Sequence, residues 1–294
     1  MAVYKRRYNP YHGQLTPEQS RFLVLTRYTL GELFRSRVFV LLFVLALVPI
    51  LFFATYIFLA NSSAVQLLLQ IRVVGGFEVE SRFFFILIMI QTQLAFLLNC
   101  WVCPTLVAGD LVNGALPLFL SRPFSRPEYV AGKCAVVALL LSVVTWVPGL
   151  ILFSLQAGLA KGGWIWSHLW MVVPIVCCSA VWILMLSLIS LAVSAWVKLR
   201  IVATGVIFCA FLVPAGLGAI FNAIMSTYWG NLLNLSELFR LILVKGFRLE
   251  SEFGGPVSLP QVPLFAAWIV MILACVISLY TLNARLRARE VVRG

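Results

Sequence analysis

The sequence predicts an all-α polytopic membrane protein with six transmembrane helices, and three observations carry that prediction. Of its 294 residues, 62% are hydrophobic and 11% charged, with a mean hydropathy of +1.02, whereas a soluble domain carries about 25% charged residues. Charge-free runs separate Arg37 from Arg72, Arg82 from Asp110, Lys133 from Lys161, Lys161 from Lys198, Arg200 from Glu237, and Glu252 from Arg285. Each run holds the ~20 apolar residues with which a helix crosses a ~30 Å hydrocarbon core. The basic residues, finally, collect in alternate connections.

A lipid-exposed backbone must satisfy its own hydrogen bonds, so the runs are read as helices. They are placed near Val38–Ala60, Phe84–Val107, Cys134–Gln156, Leu169–Trp196, Ile201–Met225 and Pro263–Leu282. With the N-terminus inside, the inner segments hold Lys5, Arg6, Arg7, Arg21, Arg27, Arg35 and Arg37, then Arg122, Arg126 and Lys133, then Lys198 and Arg200, then Arg285, Arg287, Arg289 and Arg293. The outer segments hold Arg72, Arg82, Lys161, Arg240, Lys245 and Arg248. Lys and Arg favour the cytoplasmic side, so both termini are expected inside. The net charge of +12 then calls for no nucleic-acid partner, because basic residues flanking spans also meet anionic membrane lipids. The first 37 residues lack the short apolar core and small-residue cleavage site of a signal peptide. Three regions follow: a cytoplasmic N-terminal segment (1–37), a six-helix transmembrane domain (38–283) and a basic cytoplasmic tail (284–294).

Before the first span, Thr16-Pro17-Glu18-Gln19 has the form of a helix N-terminus, with Thr at the cap, Pro in the first turn and Gln three residues on. Leu23, Leu30 and Phe34 recur at helical spacing beside Phe22 and Leu33, and Arg21, Arg27, Glu32 and Arg35 supply charge. The pattern predicts an amphipathic helix in the membrane interface. Prolines at 49, 148, 174 and 214 predict bends; Pro214-Ala215-Gly216-Leu217-Gly218 reads either as a hinge or as a fixed bend with close packing at small residues. Between the fifth and sixth spans, Leu232 to Val244 is apolar except for Glu237 and Arg240 among its charged types. A short helix or re-entrant element is expected there, closed by a Gly254-Gly255-Pro256 turn.

The spans contain no acid or base, which disfavours a proton-coupled pump. Their polar residues include Gln91, Thr92, Gln93 and Asn99 in the second span, Ser187, Ser190 and Ser194 in the fourth, and Asn222 in the fifth. Gln91, Gln93, Asn99, Ser187, Ser190 and Asn222 form a candidate substrate path; the alternative is hydrogen bonding between helices. The only histidines are His12 and His168, and no His-Glu-x-x-His is present, so a hydrolytic metal site has no ligand set. Cys100-x-x-Cys103 lies within a helix without a second pair, and the cysteines read as small packing residues. Gly132-Lys133 lacks the glycine and hydroxyl residue that a phosphate loop requires at 127 and 134. Nucleotide-driven work therefore needs a partner. Sequons at Asn61-Ser62-Ser63 and Asn234-Leu235-Ser236 matter only in a secretory-pathway host.

The most ordered polar interruption is Ala108 to Lys133, on the expected cytoplasmic side. Its features are Gly109-Asp110, Gly114-Ala115-Leu116, Leu120-Ser121-Arg122-Pro123-Phe124-Ser125-Arg126, Glu128-Tyr129 and Gly132-Lys133. Over these residues the chain resembles the permease subunits of ABC transporters of the type-2 exporter family, as does its plan of an interfacial helix, six spans and a long outer connection before the sixth. It departs from that family at Leu111-Val112, where many members carry a charged pair, and at Pro117. The resemblance implies a short cytoplasmic coupling helix between spans 2 and 3. Gly109, Asp110, Leu111, Val112, Asn113, Gly114, Ala115 and Leu116 would dock on a cytosolic ATP-binding subunit, present in two copies and holding ATP and Mg. Arg122, Arg126 and Glu128 would be partner contacts or, for the arginines, topology anchors. It further implies dimerisation with a second permease subunit, no cofactor in this chain, and catalysis only in the partner. A non-transporting, ATPase-coupled assembly or maturation factor is the alternative on the same scaffold.

Overall fold

The protein is described by a computed structural model covering residues 21–62, 79–112, 126–160, 163–197, 199–250 and 262–288. Every regular element among them is helical: α1 (Arg21–Leu33), α2 (Arg37–Asn61), α3 (Ser81–Val112), α4 (Arg126–Val144), α5 (Trp146–Leu159), α6 (Trp164–His168), α7 (Val172–Trp196), α8 (Arg200–Met225), α9 (Leu235–Gly246) and α10 (Leu264–Ala288). Single 3-10 turns occupy Leu169–Met171 and Trp229–Leu233. Six helical stretches are long and apolar enough to cross a membrane: Arg37–Asn61, Ser81–Asp110, Pro127–Leu159, Trp164–Trp196, Arg200–Met225 and Leu264–Arg285. This is an all-α polytopic membrane fold, with spans where hydropathy placed them.

The spans form two tiers. Over their most apolar windows, the second, third and fourth are 61%, 56% and 61% buried, against 11%, 22% and 17% for the first, fifth and sixth. The inner tier centres on α3 and α7, with α4 against both; α2, α8 and α10 lie around it. Outer-tier residues such as Leu51, Phe52, Ile201, Leu212 and Phe265 are exposed. In a bilayer such surface meets lipid tails, so it marks depth rather than a binding face.

Two buried prolines shape the inner tier. A helix-interior proline lacks an N–H and crowds the carbonyl four residues earlier. Pro148 breaks the third span at Thr145, whose backbone leaves helical angles (φ −101, ψ −89). The freed Val144 carbonyl is met by Gln91: its side-chain amide nitrogen, oriented by its hydrogen-bonding neighbours, donates to the Val144 and Ala46 oxygens, both at 3.1 Å. Pro104 plays the same part in α3. There the Thr204 hydroxyl of α8 donates to the Cys100 carbonyl at 3.1 Å. Side chains from other helices thus complete the backbone ladder, the condition on which membrane helices tolerate proline.

The element expected between the fifth and sixth spans is α9. Asn234 caps it, its side-chain oxygen accepting from Glu237 N at 3.2 Å, while Glu237 pairs with Arg240 at 2.8 Å. Leu238, Phe239, Leu241, Ile242, Leu243 and Val244 are all buried, so the helix is enclosed by α7, α10 and neighbouring elements rather than lying on the surface. The Phe239 ring sits 4.5 Å from that of Trp182, whose indole N–H donates to the Thr92 carbonyl at 3.2 Å. At this end α8 runs unbroken through Pro214, and Gly218 meets the backbone of Gly230 so closely that a Cβ on either would clash. Close packing at small residues is therefore the form the Pro214–Gly218 segment takes.

Candidate functional site

The opposite end of the bundle carries a polar cluster that joins two spans. Here α3 ends, α4 begins, and residues 113–125 between them lie outside the described residues, among them Asn113, Gly114, Ala115, Leu116 and Arg122, as does any coupling helix. The helix boundaries differ from the sequence reading. α3 runs through Gly109-Asp110 to Val112 instead of ending near Val107, and α4 starts at Arg126 rather than Cys134. Pro127 favours that start, since a proline in the first turn loses no hydrogen bond. Gly109, Asp110, Leu111 and Val112 are thus helical, as are Arg126 and Glu128; Glu128 lies in the first turn of α4, where an acid complements the helix dipole.

The consequence is a clamp. The spacing of Tyr129 and Lys133, one helical turn apart, puts both on one face of α4. Asp110 Oδ2 accepts from the Tyr129 hydroxyl at 2.8 Å and lies 2.8 Å from Lys133 Nζ. The Lys133 side chain is 5% exposed and that of Asp110 22%, and Tyr129 is fully buried. A lone ammonium at that depth is expensive to desolvate, and the facing carboxylate offsets that cost. Lys133 also lies 5.7 Å from the Tyr129 ring centroid. The clamp ties the last turn of α3 to the first turns of α4, the two anchors of the 113–125 connection.

Helix α1 braces this clamp. Thr26 on α1 donates to the Gly132 carbonyl at 3.1 Å and to its own Phe22 carbonyl at 3.0 Å. A Cβ at 132 would stand 3.1 Å from Leu25 Cδ2 and 3.2 Å from the Phe22 oxygen, so glycine permits the approach. Leu25, Thr26 and Thr29 form the buried face of α1, while Leu23, Val24 and Tyr28 are exposed. The expected stripe through Leu23, Leu30 and Phe34 is therefore split: α1 has a protein face centred on Leu25 and Thr26, and a second apolar face directed away from the bundle. Ser36 caps α2 beyond it, accepting from Phe39 N at 3.4 Å.

The candidate path residues do not gather into one lining within this chain. Asn99 Nδ2 donates to Ser190 Oγ, and Cys103 Sγ to Asn99 Oδ1 at 3.0 Å; all three are buried in the α3–α7 seam. Further along that seam Ala108 N donates to Ser194 Oγ at 3.1 Å. Ser187 donates to the Leu184 carbonyl at 2.9 Å. Gln91 is the buried proline partner described above, whereas Gln93 is exposed. Asn222 serves the far end, donating to Asn231 Oδ1 at 2.9 Å and accepting from Gly230 N at 2.7 Å. These contacts realise hydrogen bonding between elements for Gln91, Asn99, Ser190 and Asn222, whereas the bond of Ser187 stays within α7. Both sequon asparagines have structural partners too: Asn61 donates to Gln156 Oε1 at 2.8 Å and Asn234 caps α9.

Sequence reasoning passed over Pro104, Thr204 and the pairing of Tyr129 with Asp110. A proline inside the second charge-free run was the available signal for the first. Nothing in the one-dimensional pattern announces the other two, which depend on which helices become neighbours. Among the described residues no group of three or more His, Cys, Asp and Glu stands close enough to hold a metal. In comparison with known proteins, no family model matches the chain and no curated protein is significantly similar to it.

Proposed function

We propose that the chain is the membrane-spanning permease subunit of an ATP-driven exporter of the ABC type-2 kind, working as a dimer with two copies of a separate cytosolic ATPase. The observation that carries the reading is the Asp110–Tyr129–Lys133 clamp. A motor gripping residues 113–125 can move spans only if both ends of that connection are stiffly joined to helices. Here one carboxylate ties those ends together, and α1 presses on the same turn of α4 at Gly132. Force applied to the connection would pass jointly into α3 and α4, which belong to two of the three inner-tier spans. The six-span plan and the motif-bearing connection support the same reading, with that connection and both termini on the cytoplasmic side of a bacterial inner membrane. The neutral, largely apolar spans favour an amphipathic or lipid-like cargo. ATP and Mg belong to the ATPase partner.

The test is co-expression with an ATPase encoded beside this chain. The expected result is a stable complex whose ATPase turnover depends on the permease and which moves cargo in liposomes. Gly114→Trp should leave membrane insertion intact and abolish coupling; retention of full coupled turnover would overturn the role of this connection. Asp110 is unsuited to that test alone, since its substitution also breaks the clamp. An assembly factor would bind the same ATPase and show coupled turnover without any cargo flux.

A further inference from the structure

Beside the clamp lies a partly open cavity of about 250 Å³ lined by α1, the start of α2, the last turns of α3, Lys133 of α4 and Arg200 at the start of α8. Its charges divide unequally. Lys133 and Asp110 neutralise one another. Arg200 lies with its guanidinium over the Trp101 ring, 4.3 Å from the centroid, and among the described residues no carboxylate pairs with it. Glu32, on the wall that α1 forms, likewise has no cationic partner among them. Among the described residues, one cavity thus presents an unpaired guanidinium edge and an unpaired carboxylate from two different helices. The guanidinium edge suits a phosphate, which arginine recognises through paired N–H donors, and the carboxylate suits an ammonium.

Position narrows the occupant. Arg200 opens the fifth span, Asp110 closes the second, and Arg37, next to the lining residue Ser36, opens the first, so the cavity sits at the level where spans leave the hydrocarbon and headgroups begin. Leu33, Phe39 and Leu106 contribute apolar wall. The volume falls below the ~300–1,000 Å³ of sites that engulf a drug-sized ligand, which fits a headgroup whose tails remain in the bilayer. Quaternary ammonium groups are recognised on aromatic faces, and the face of Trp101 is already taken by Arg200; a primary amine, able to donate hydrogen bonds to Glu32, suits the site better.

We propose that this cavity binds the headgroup of a zwitterionic phospholipid carrying a primary amine, its phosphate held by Arg200 with the spare N–H groups of Lys133 and its ammonium by Glu32. The inference is independent of any ATPase partner, and its test uses the purified chain alone. Lipid retention would be followed by native mass spectrometry after delipidation and exposure to phosphatidylethanolamine, phosphatidylcholine or phosphatidylglycerol. Phosphatidylethanolamine should be retained at least tenfold over the other two. Arg200→Gln should lower that retention about tenfold, and Glu32→Gln should remove the preference over phosphatidylglycerol. Both side chains sit on exposed residues, so both variants should fold. A third, Gly109→Leu, fills the cavity without altering charge: a Cβ there meets nothing within 4 Å, and the variant should lose retention at unchanged melting temperature. Equal retention by wild type and Arg200→Gln would overturn the site. Displacement by an equal concentration of soluble glycerophosphoethanolamine would overturn the lipid assignment.

Discussion

The two ends of this bundle are closed by different physics. At the α9 end, the apolar residues of a helix that also carries Glu237, Arg240 and Lys245 are buried among the spans, and contact is by a tilted ring pair, close glycine packing and a capped N-terminus. At the α3–α4 end, closure rests on one carboxylate shared between a tyrosine and a lysine, next to a cavity with charged walls. Apolar packing is short-ranged and tolerates no gap, so the α9 end has one arrangement. An ion pair with a partly exposed carboxylate can exchange partners with water, ligand or another protein. Such a bundle is fixed at one end and adjustable at the other, which is where a partner acting on residues 113–125 would need it to be.

The largest expected effect falls on the fixed end. Phe239→Ala removes a 2%-exposed ring from Trp182 and should lower stability by about 3 kcal/mol, at the low end of buried aromatic truncations, read by denaturant titration in mixed micelles. Asp110→Ala comes next, at about 2 kcal/mol: less than the ~3–5 kcal/mol for breaking a fully buried pair, because the Asp110 side chain is 22% exposed. The pairing argument is sharpened by Asp110→Leu with Lys133→Met, which removes both charges and should recover most of the loss. If the double variant were as unstable as Asp110→Ala, packing rather than the unpaired ammonium would hold this end, and the contrast between the ends would fail.

A third variant tests the brace. Gly132→Leu inserts a side chain where Leu25 and the Phe22 carbonyl already stand, and overpacking of this kind costs about 1–3 kcal/mol. Because α1 can be displaced without opening the spans, about 1.5 kcal/mol is expected. The readout specific to α1 is limited trypsin digestion: cleavage at Arg27 should accelerate while span fragments stay intact. Unchanged digestion would mean that α1 is held by its other apolar face instead.

How far the structure could be read in advance follows the same division. The spans were legible because hydrocarbon thickness and the absence of charge act on single segments, and α9 was legible from a thirteen-residue, largely apolar run too short and too charged to cross. Asp110, Tyr129 and Lys133 stand out as punctuation of a polar connection, yet span boundaries near Val107 and Cys134 leave all three outside the helices that carry them. Helix ends there depend on tertiary neutralisation: Lys133 can be buried and helical only because Asp110 faces it, and pairing across helices leaves no periodic trace. Gln91, Asn99 and Ser190 show the same limit. Their polarity was plain, whereas their partners, a proline-freed carbonyl for one and each other for the remaining two, follow from packing.

The smallest expected effect concerns the link between the tiers. Pro104 leaves the Cys100 carbonyl without its intrahelical donor, and Thr204 of α8 supplies a hydroxyl at 3.1 Å, shared with its own Arg200 carbonyl at 3.2 Å. Thr204→Val keeps shape and removes the donor, so it should cost about 0.6 kcal/mol, the average for interhelical hydrogen bonds in membranes. Pro104→Ala restores an N–H to the ladder, and the Cys100 carbonyl then no longer depends on α8. In that background Thr204→Val should cost nearly nothing, giving a coupling energy equal to the single-variant loss in a double-mutant cycle. Additive losses would show that Thr204 acts through its own helix alone. Coupled losses would mean that α8, an outer-tier span, answers to a defect in α3, so that the carbonyl freed by Pro104 joins the adjustable end to the lipid-facing tier.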